Sequence, residues 1–142
     1  MSVTVRMASA TDADLAISLD PAASDEDRAL WLRRALAGEH GRVARLAFLM
    51  DRPAGLAVVG RFFGHPFLEL IVTAPRQRRQ GVASALMDAV ERAHHDQKLF
   101  VSTNRSNTAM QAILEGRGYF AAGTVDHLDP GDPELFFVRL PS

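Results

Sequence analysis

Three features of the sequence could do chemistry. Residues 76–86 read RQRRQGVASAL: three arginines and two glutamines in five positions, then Gly81, then small and apolar residues. Such a run is either a solvated basic loop or, where it opens a helix, an anion cradle, because a first helical turn presents unpaired N–H groups and a partial positive charge. Glu69 is the one acid in the apolar stretch FLELIVT at 67–73, a carboxylate where a proton acceptor could stand. Asn107 precedes a second apolar-periodic stretch, as a helix cap or a ligand-binding amide. Other chemistry is excluded or disfavoured. The chain has no cysteine, so it has no disulfide, no thiolate metal site and no cysteine nucleophile. His94 and His95 are adjacent, and neighbours on a helix point about 100° apart, a poor arrangement for one metal ion. No metal is expected.

The elements that must position these residues follow from periodicity. Val3–Met7 alternates as a strand, and Thr11–Asp14 opens a short helix through Leu15, Ile17 and Leu19. Ser24–Asp27 reads as a second cap, leading to Leu30, Trp31 and Leu36 and stopped by Gly38, with Trp31 directed into the core. Residues 42–50 and 54–63 form a hairpin about a turn at 51–53, and a turn at 64–66 leads to a central strand at 67–73. From Val82 the small and apolar positions repeat at helical spacing as far as His94. A strand at 99–103 follows, then a helix capped by Ser106 or Asn107 and ended by Gly116 and Gly118. Strands at 123–128 and 135–140 flank the turn at 129–133. The order β-α-α-β-β-β-α-β-α-β-β describes one α/β domain over residues 1–142 with a mixed sheet.

Composition narrows the partners. Sixteen Lys and Arg against 17 Asp and Glu leave a formal charge of −1, so no global field attracts nucleic acid and any anion site must be local. The opening residues lack the apolar core of a signal peptide, and no apolar run reaches membrane-spanning length. A cytoplasmic protein without a membrane partner is the expectation.

The pattern Pro75, Arg78, Gly81, Ala83 after a strand ending VTAP resembles the Q/R-x-x-G-x-G/A signature of the GCN5-related N-acetyltransferase (GNAT) family. The segment from Asn107 to Tyr119 resembles that family's later N-x-x-A-x-x-x-Y-x-x-x-G-F stretch. The resemblance covers Arg42 to about Leu140. It implies six to seven strands, mostly antiparallel, with about four helices, and central strands splayed into a V. It implies acetyl-CoA as co-substrate, with Ile71, Val72 and Thr73 meeting the pantetheine and acetyl group. Arg78, Arg79, Gln80, Gly81, Val82, Ala83 and Ser84 would form the pyrophosphate arm, and Asn107 would hydrogen-bond the cofactor.

The implied activity is direct acetyl transfer to a primary amine: a small molecule, a peptide N-terminus or a lysine. A strand N–H near Thr73 would stabilise the oxyanion, and Glu69 is the candidate base, with His65 and Glu134 behind it. The alternative for Glu69 is a structural acid paired with an arginine or facing solvent. Two departures stand out: Leu114 occupies the position of the family's usual tyrosine acid, and Ser102 that of a glutamate found in some relatives. They favour the alternative of a non-catalytic acyl-CoA-binding module. Asp25, Glu26, Asp27 and the turn at 129–134 could attract a cationic amine. Relatives pair through sheet edges, so a homodimer through the final hairpin, with Phe136 and Phe137 on opposite faces, is a further expectation.

Overall fold

The structure, a computed structural model, describes residues 2–77 and 81–142. Seven strands form one sheet: β1 (Val3–Met7), β2 (Val43–Leu49), β3 (Arg52–Phe62), β4 (His65–Thr73), β5 (Leu99–Asn104), β6 (Phe120–Val125) and β7 (Glu134–Arg139). Their order across the sheet is β1-β2-β3-β4-β5-β7-β6. Every neighbouring pair is antiparallel except β4 and β5, which run parallel. The helices are α1 (Ala13–Leu19), α2 (Glu26–Leu36), α3 (Val82–Ala93) and α4 (Thr108–Gly116). The expected element order and fold class hold throughout.

The turns lie slightly earlier than their Pro and Gly residues suggest. β2 and β3 are joined by Met50 and Asp51, both at positive φ (50° and 70°), so Arg52 and Pro53 belong to the strand and not to the turn. Two central residues with φ > 0 match the right-handed twist of the strands they connect. Phe63 and Gly64 repeat the device between β3 and β4, which puts His65 and Pro66 inside β4. Pro53 is tolerated because the β2–β3 register shifts beside it, leaving Ala54 as an extra residue. The sixth strand begins at Phe120, three residues before the expected start. The connection to β7 is correspondingly long, at 126–133. Asp25, not Ser24, caps α2, its carboxylate accepting the Arg28 N–H at 3.1 Å.

Two cores sandwich the sheet. Under α3 and α4 lie Ala57, Leu68, Val82, Leu86, Met87, Val90, Val101, Leu114, Tyr119 and Phe137. Under α1 and α2 lie Ala16, Leu19, Leu32, Ala35, Leu36, Leu46, Leu56 and Val58. Gly55 lets α3 rest directly on β3: a Cβ there would stand 2.7 Å from Val82 Cγ1 and 2.8 Å from the Val72 carbonyl. That contact sets the height at which α3 begins over the sheet.

A polar clasp ties α3 to the last third of the chain. Glu91 on α3 accepts from Arg117 Nε (3.0 Å) and Nη2 (2.8 Å) and from the Tyr119 hydroxyl (2.8 Å), and Asp88 adds a second carboxylate to Arg117. Burial, and then donation to Glu91, push the Tyr119 phenol well above its ordinary 10.0. Tyr119 therefore holds the fold together from within the core, as its aromatic position implies. A raised folded-state pKa means that this stabilisation is present in full below about pH 10 and is lost as the pH rises beyond it. Tyr119→Phe should cost about 1–2 kcal/mol in urea unfolding at neutral pH. The difference from the parent should shrink above about pH 10, and a difference independent of pH would show that the hydroxyl does not couple to Glu91.

Candidate active site

β4 and β5 share only two residue pairs, Phe67↔Phe100 and Leu68↔Val101. Beyond them the strands part, and the break begins at Glu69. β3 opposes β4 as Val59↔Leu68 and then Val58↔Leu70, so Glu69 is the extra residue of a β-bulge. Leu68 packs under α3 and α4, whereas Leu70 packs under α1 and α2. In a regular strand residues two apart share a face; the bulge reverses this.

Bond alternation then decides which main-chain groups face the gap. Ala74 N–H donates to the Ala54 carbonyl at 2.8 Å. Antiparallel bonds alternate along a strand, so Val72 and Ala74 turn toward β3 while Ile71 and Thr73 turn toward the space β5 has vacated. This narrows the expectation for residues 71–73: the donors on offer belong to Ile71 and Thr73, and the main chain of Val72 is committed to β3.

The gap is a cleft of about 290 Å³ lined by Leu68–Ile71, Val101–Asn104, Asn107, Met110, Glu134 and Arg28. At the start of α3, Gly81 adopts φ 80°, and among the described residues no side chain caps the helix. The first helical bond runs from Ala85 N–H to the Gly81 carbonyl, which leaves the N–H groups of Val82, Ala83 and Ser84 without intrahelical partners. Among the described residues, a Cβ on Gly81 would meet nothing within 4 Å, which leaves the ground before these amides open on that side. Val82 buries its side chain in the core, Ala83 is half-buried and Ser84 is exposed. The remaining arm residues, Arg78, Arg79 and Gln80, lie outside the described residues. Asn107 caps α4, its Oδ1 accepting from Met110 N–H at 3.1 Å.

Glu69 lies on the α1–α2 side of the cleft, gripped by Arg42: Nε to Oε1 at 2.9 Å and Nη2 to Oε2 at 3.3 Å, with both side chains under one-fifth exposed. Arg42 in turn lies over the Trp31 ring, 5.4 Å from its centroid, and Arg28 approaches the same ring at 5.8 Å. Trp31 is thus a half-buried platform between two cations at the edge of the core rather than a residue within it. Room for the ion pair comes from Gly60, where a Cβ would stand 1.6 Å from Glu69 Oε1. Of the other candidates, Glu134 and Ser102 line the cleft, while His65 packs against Phe100 with ring centroids 5.6 Å apart. Leu114 is fully buried. Sequence reasoning missed Arg28 and Arg42; Glu69 and Arg42 are 27 residues apart, and no short-range pattern links them.

Two larger hollows lie elsewhere. One, of about 390 Å³, surrounds Leu30, Trp31 and His40. The other, of about 350 Å³, is lined by Phe62, Phe63, Phe100, Phe136 and the edge strand β6. Phe137 is buried in the core, so the apolar surface of the final hairpin comes from Phe136 and from the exposed Phe120, Val125 and Leu128. The first hollow reaches Arg42, the partner of Glu69, but among the described residues neither hollow is lined by Ile71 or Glu69, and the cleft is lined by both.

The sequence model of the acetyltransferase (GNAT) family matches residues 9–119. A GNAT-family acetyltransferase from Bacillus cereus ATCC 10987 superposes with a TM-score of 0.87 at 30% identity, over 100% of this chain and 99% of that one. The ribosomal-protein-S18-alanine N-acetyltransferase of Escherichia coli superposes at 0.77 with 20% identity, over 99% and 94% of the two chains. Arabidopsis thaliana NAA60, solved with a bisubstrate analogue, does so at 0.76 with 11% identity, over 97% of each. No curated protein sequence matches the chain.

Gly60→Ala should leave the fold intact, because the clash falls on the movable end of Glu69, but it should expel that carboxylate from Arg42. The expected cost is about 1–3 kcal/mol by urea unfolding. Adding Arg42→Gln should then cost much less than it does in the parent, since both changes break one interaction. Additive costs would mean that Gly60 does not serve the ion pair.

Proposed function

The chain belongs to the acetyltransferase (GNAT) family, and we propose that it transfers an acetyl group from acetyl-CoA to a primary amine in the cleft between β4 and β5. The observation that carries this reading is the pair of main-chain positions, Ile71 and Thr73, turned into a gap that a regular sheet would have closed. An extended amide-bearing arm finds hydrogen-bonding partners there, as a strand would. The residues suited to hold the cofactor are Ile71 and Thr73, the first-turn amides of Val82, Ala83 and Ser84, the open ground at Gly81, and Asn107. Acetyl-CoA supplies an activated acyl carbon and a thiolate leaving group.

The chain's own groups supply the rest. Main-chain N–H groups of β4 donate toward the position where negative charge develops on the acyl oxygen, and being already oriented they need no reorganisation. The amine forms the new C–N bond as the C–S bond breaks. Its proton goes to Glu69, directly or through a water molecule. Arg42 fixes the position of that carboxylate, and each Glu69 oxygen keeps a lone pair for a further donor. With Leu114 where relatives carry a tyrosine, the sulfur takes its proton from solvent.

The non-catalytic reading draws on two observations, the buried Leu114 and the engagement of both Glu69 oxygens by Arg42. Calorimetry with CoA and thiol release with acetyl-CoA and an amine panel separate the two: transfer requires both signals, and a binding module gives only the first.

Two variants test the parts. Gly81→Asp places a negative charge before the α3 amides, and CoA affinity should fall at least about tenfold, or ~1.4 kcal/mol. Because Gly81 sits at φ 80°, the melting temperature must be followed in parallel; unchanged affinity in a folded variant refutes the cradle. Glu69→Gln keeps the shape of the side chain and removes the base. CoA affinity should hold while turnover drops about 100-fold, recovering in part at high pH as free amine accumulates. Wild-type turnover in this variant would remove Glu69 from the mechanism.

A further inference from the structure

Arg28 occupies the first turn of α2, where the helix dipole disfavours a cation. The fold nevertheless fixes it there. Its Nε donates to Asp20 Oδ2 at 2.8 Å, and Asp20 is itself buried, 4% exposed, with Oδ1 accepting the Ala22 N–H at 3.1 Å. Asp20 therefore takes the guanidinium through Nε alone, its other oxygen being turned to the Ala22 N–H. Among the described residues, the two terminal nitrogens of Arg28 have no hydrogen-bond acceptor. The Trp31 ring lies 5.8 Å from Arg28 Cζ, and the side chain, 35% exposed, forms part of the cleft wall.

An arginine anchored through Nε, with its terminal nitrogens available in a cleft, is preorganised to take a planar oxyanion by two parallel bonds. The rest of the cleft has the opposite character, presenting the carboxylates of Glu69 and Glu134. Glu69 is neutralised by Arg42, while Glu134 has no cationic partner among the described residues. The cleft thus offers a cation at one wall and carboxylates at another. Its volume of about 290 Å³ is shared with the cofactor arm, so the part left to the acceptor suits only a compact molecule.

We propose that Arg28 is a specificity-determining residue that binds a carboxylate of the acceptor, so that the preferred acceptor is a small primary amine bearing a carboxylate, such as an amino acid or a very short peptide with a free C-terminus. This rests on the transfer reading above, with the ammonium end directed to Glu69 and Glu134.

The test uses amines that differ only in charge: alanine and alaninamide, Ala-Ala and its C-terminal amide, 4-aminobutyrate and its amide. Trp31 is the chain's single tryptophan and touches Arg28, so its emission reports binding in the CoA-loaded protein without any turnover; thiol release is followed separately. In at least one pair the acid should bind tenfold or more tightly than the amide, and Arg28→Gln should bring that ratio close to one. A merely structural Arg28 would lower stability and weaken both members alike, leaving the ratio unchanged. No preference in any pair, or a preference that survives Arg28→Gln, overturns the proposal. Should Arg28→Gln fail to fold, Arg28→Lys replaces it: losing the fork should cut the ratio at least threefold, and an unchanged ratio overturns the proposal. Absence of thiol release with normal CoA binding would sink acetyl transfer, while the fluorescence ratio would still judge Arg28.

Discussion

Two residue pairs are all that joins β4 to β5, and most of the architecture answers to that economy. A sheet that stops bonding in its middle exposes main-chain groups on both inner edges, and buried unpaired groups of this kind cost free energy. A fold can keep such a gap only if side chains hold the two halves at a set distance. Here the core beneath α3 spans the junction, with Leu86, Met87 and Val90 from one side meeting Leu99, Val101, Leu114 and Phe137 from the other. The Glu91 clasp to Arg117 and Tyr119 crosses the same boundary. The gap is kept open by what is packed behind it.

The bulge at Glu69 links the gap to its chemistry. By inserting one residue it ends regular pairing where the cleft begins and shifts the following side chains to the opposite faces of the sheet. The carboxylate is thereby delivered to the α1–α2 side, where Arg42, Trp31 and Arg28 stand. Cofactor-facing and acceptor-facing functions so fall on two sides of a single strand. A series of contacts runs from buried Asp20 through Arg28 and Trp31 to Arg42 and Glu69, each residue oriented by the one before it. Small residues set its tolerances, Gly60 for the carboxylate and Gly55 for the approach of α3.

Much of this was legible in the order of residues. Alternation and helical periodicity yielded the type and order of all eleven strands and helices, and Asn107 and Gly38 marked a beginning and an end through cap chemistry. The turns were displaced because Met50, Asp51 and Phe63 adopt left-handed conformations that side chains seldom choose; the eye falls instead on Pro53 and Pro66. β6 was misplaced because FAAGTV is exposed throughout and carries little alternation. The bulge was invisible for a different reason. In FLELIVT an extra residue leaves no mark, since a strand buried on both faces has no polar rhythm for an insertion to break. The partners of Glu69 and the Arg28–Asp20 anchor depend on packing between α2 and the sheet, which no local pattern encodes.

The sparse junction between β4 and β5 also bears on how the chain is divided. Residues up to Ala93 build β1–β4 with α1, α2 and α3, and α3 packs against those four strands. Residues from Leu99 onward build β5, β6 and β7 with α4. A single short turn, 94–98, connects the two sets covalently, and what holds them otherwise is side-chain packing, one clasp and two backbone pairs. A chain severed in that turn would keep every non-covalent contact that unites its halves, which is the condition under which separated fragments reassemble by complementation.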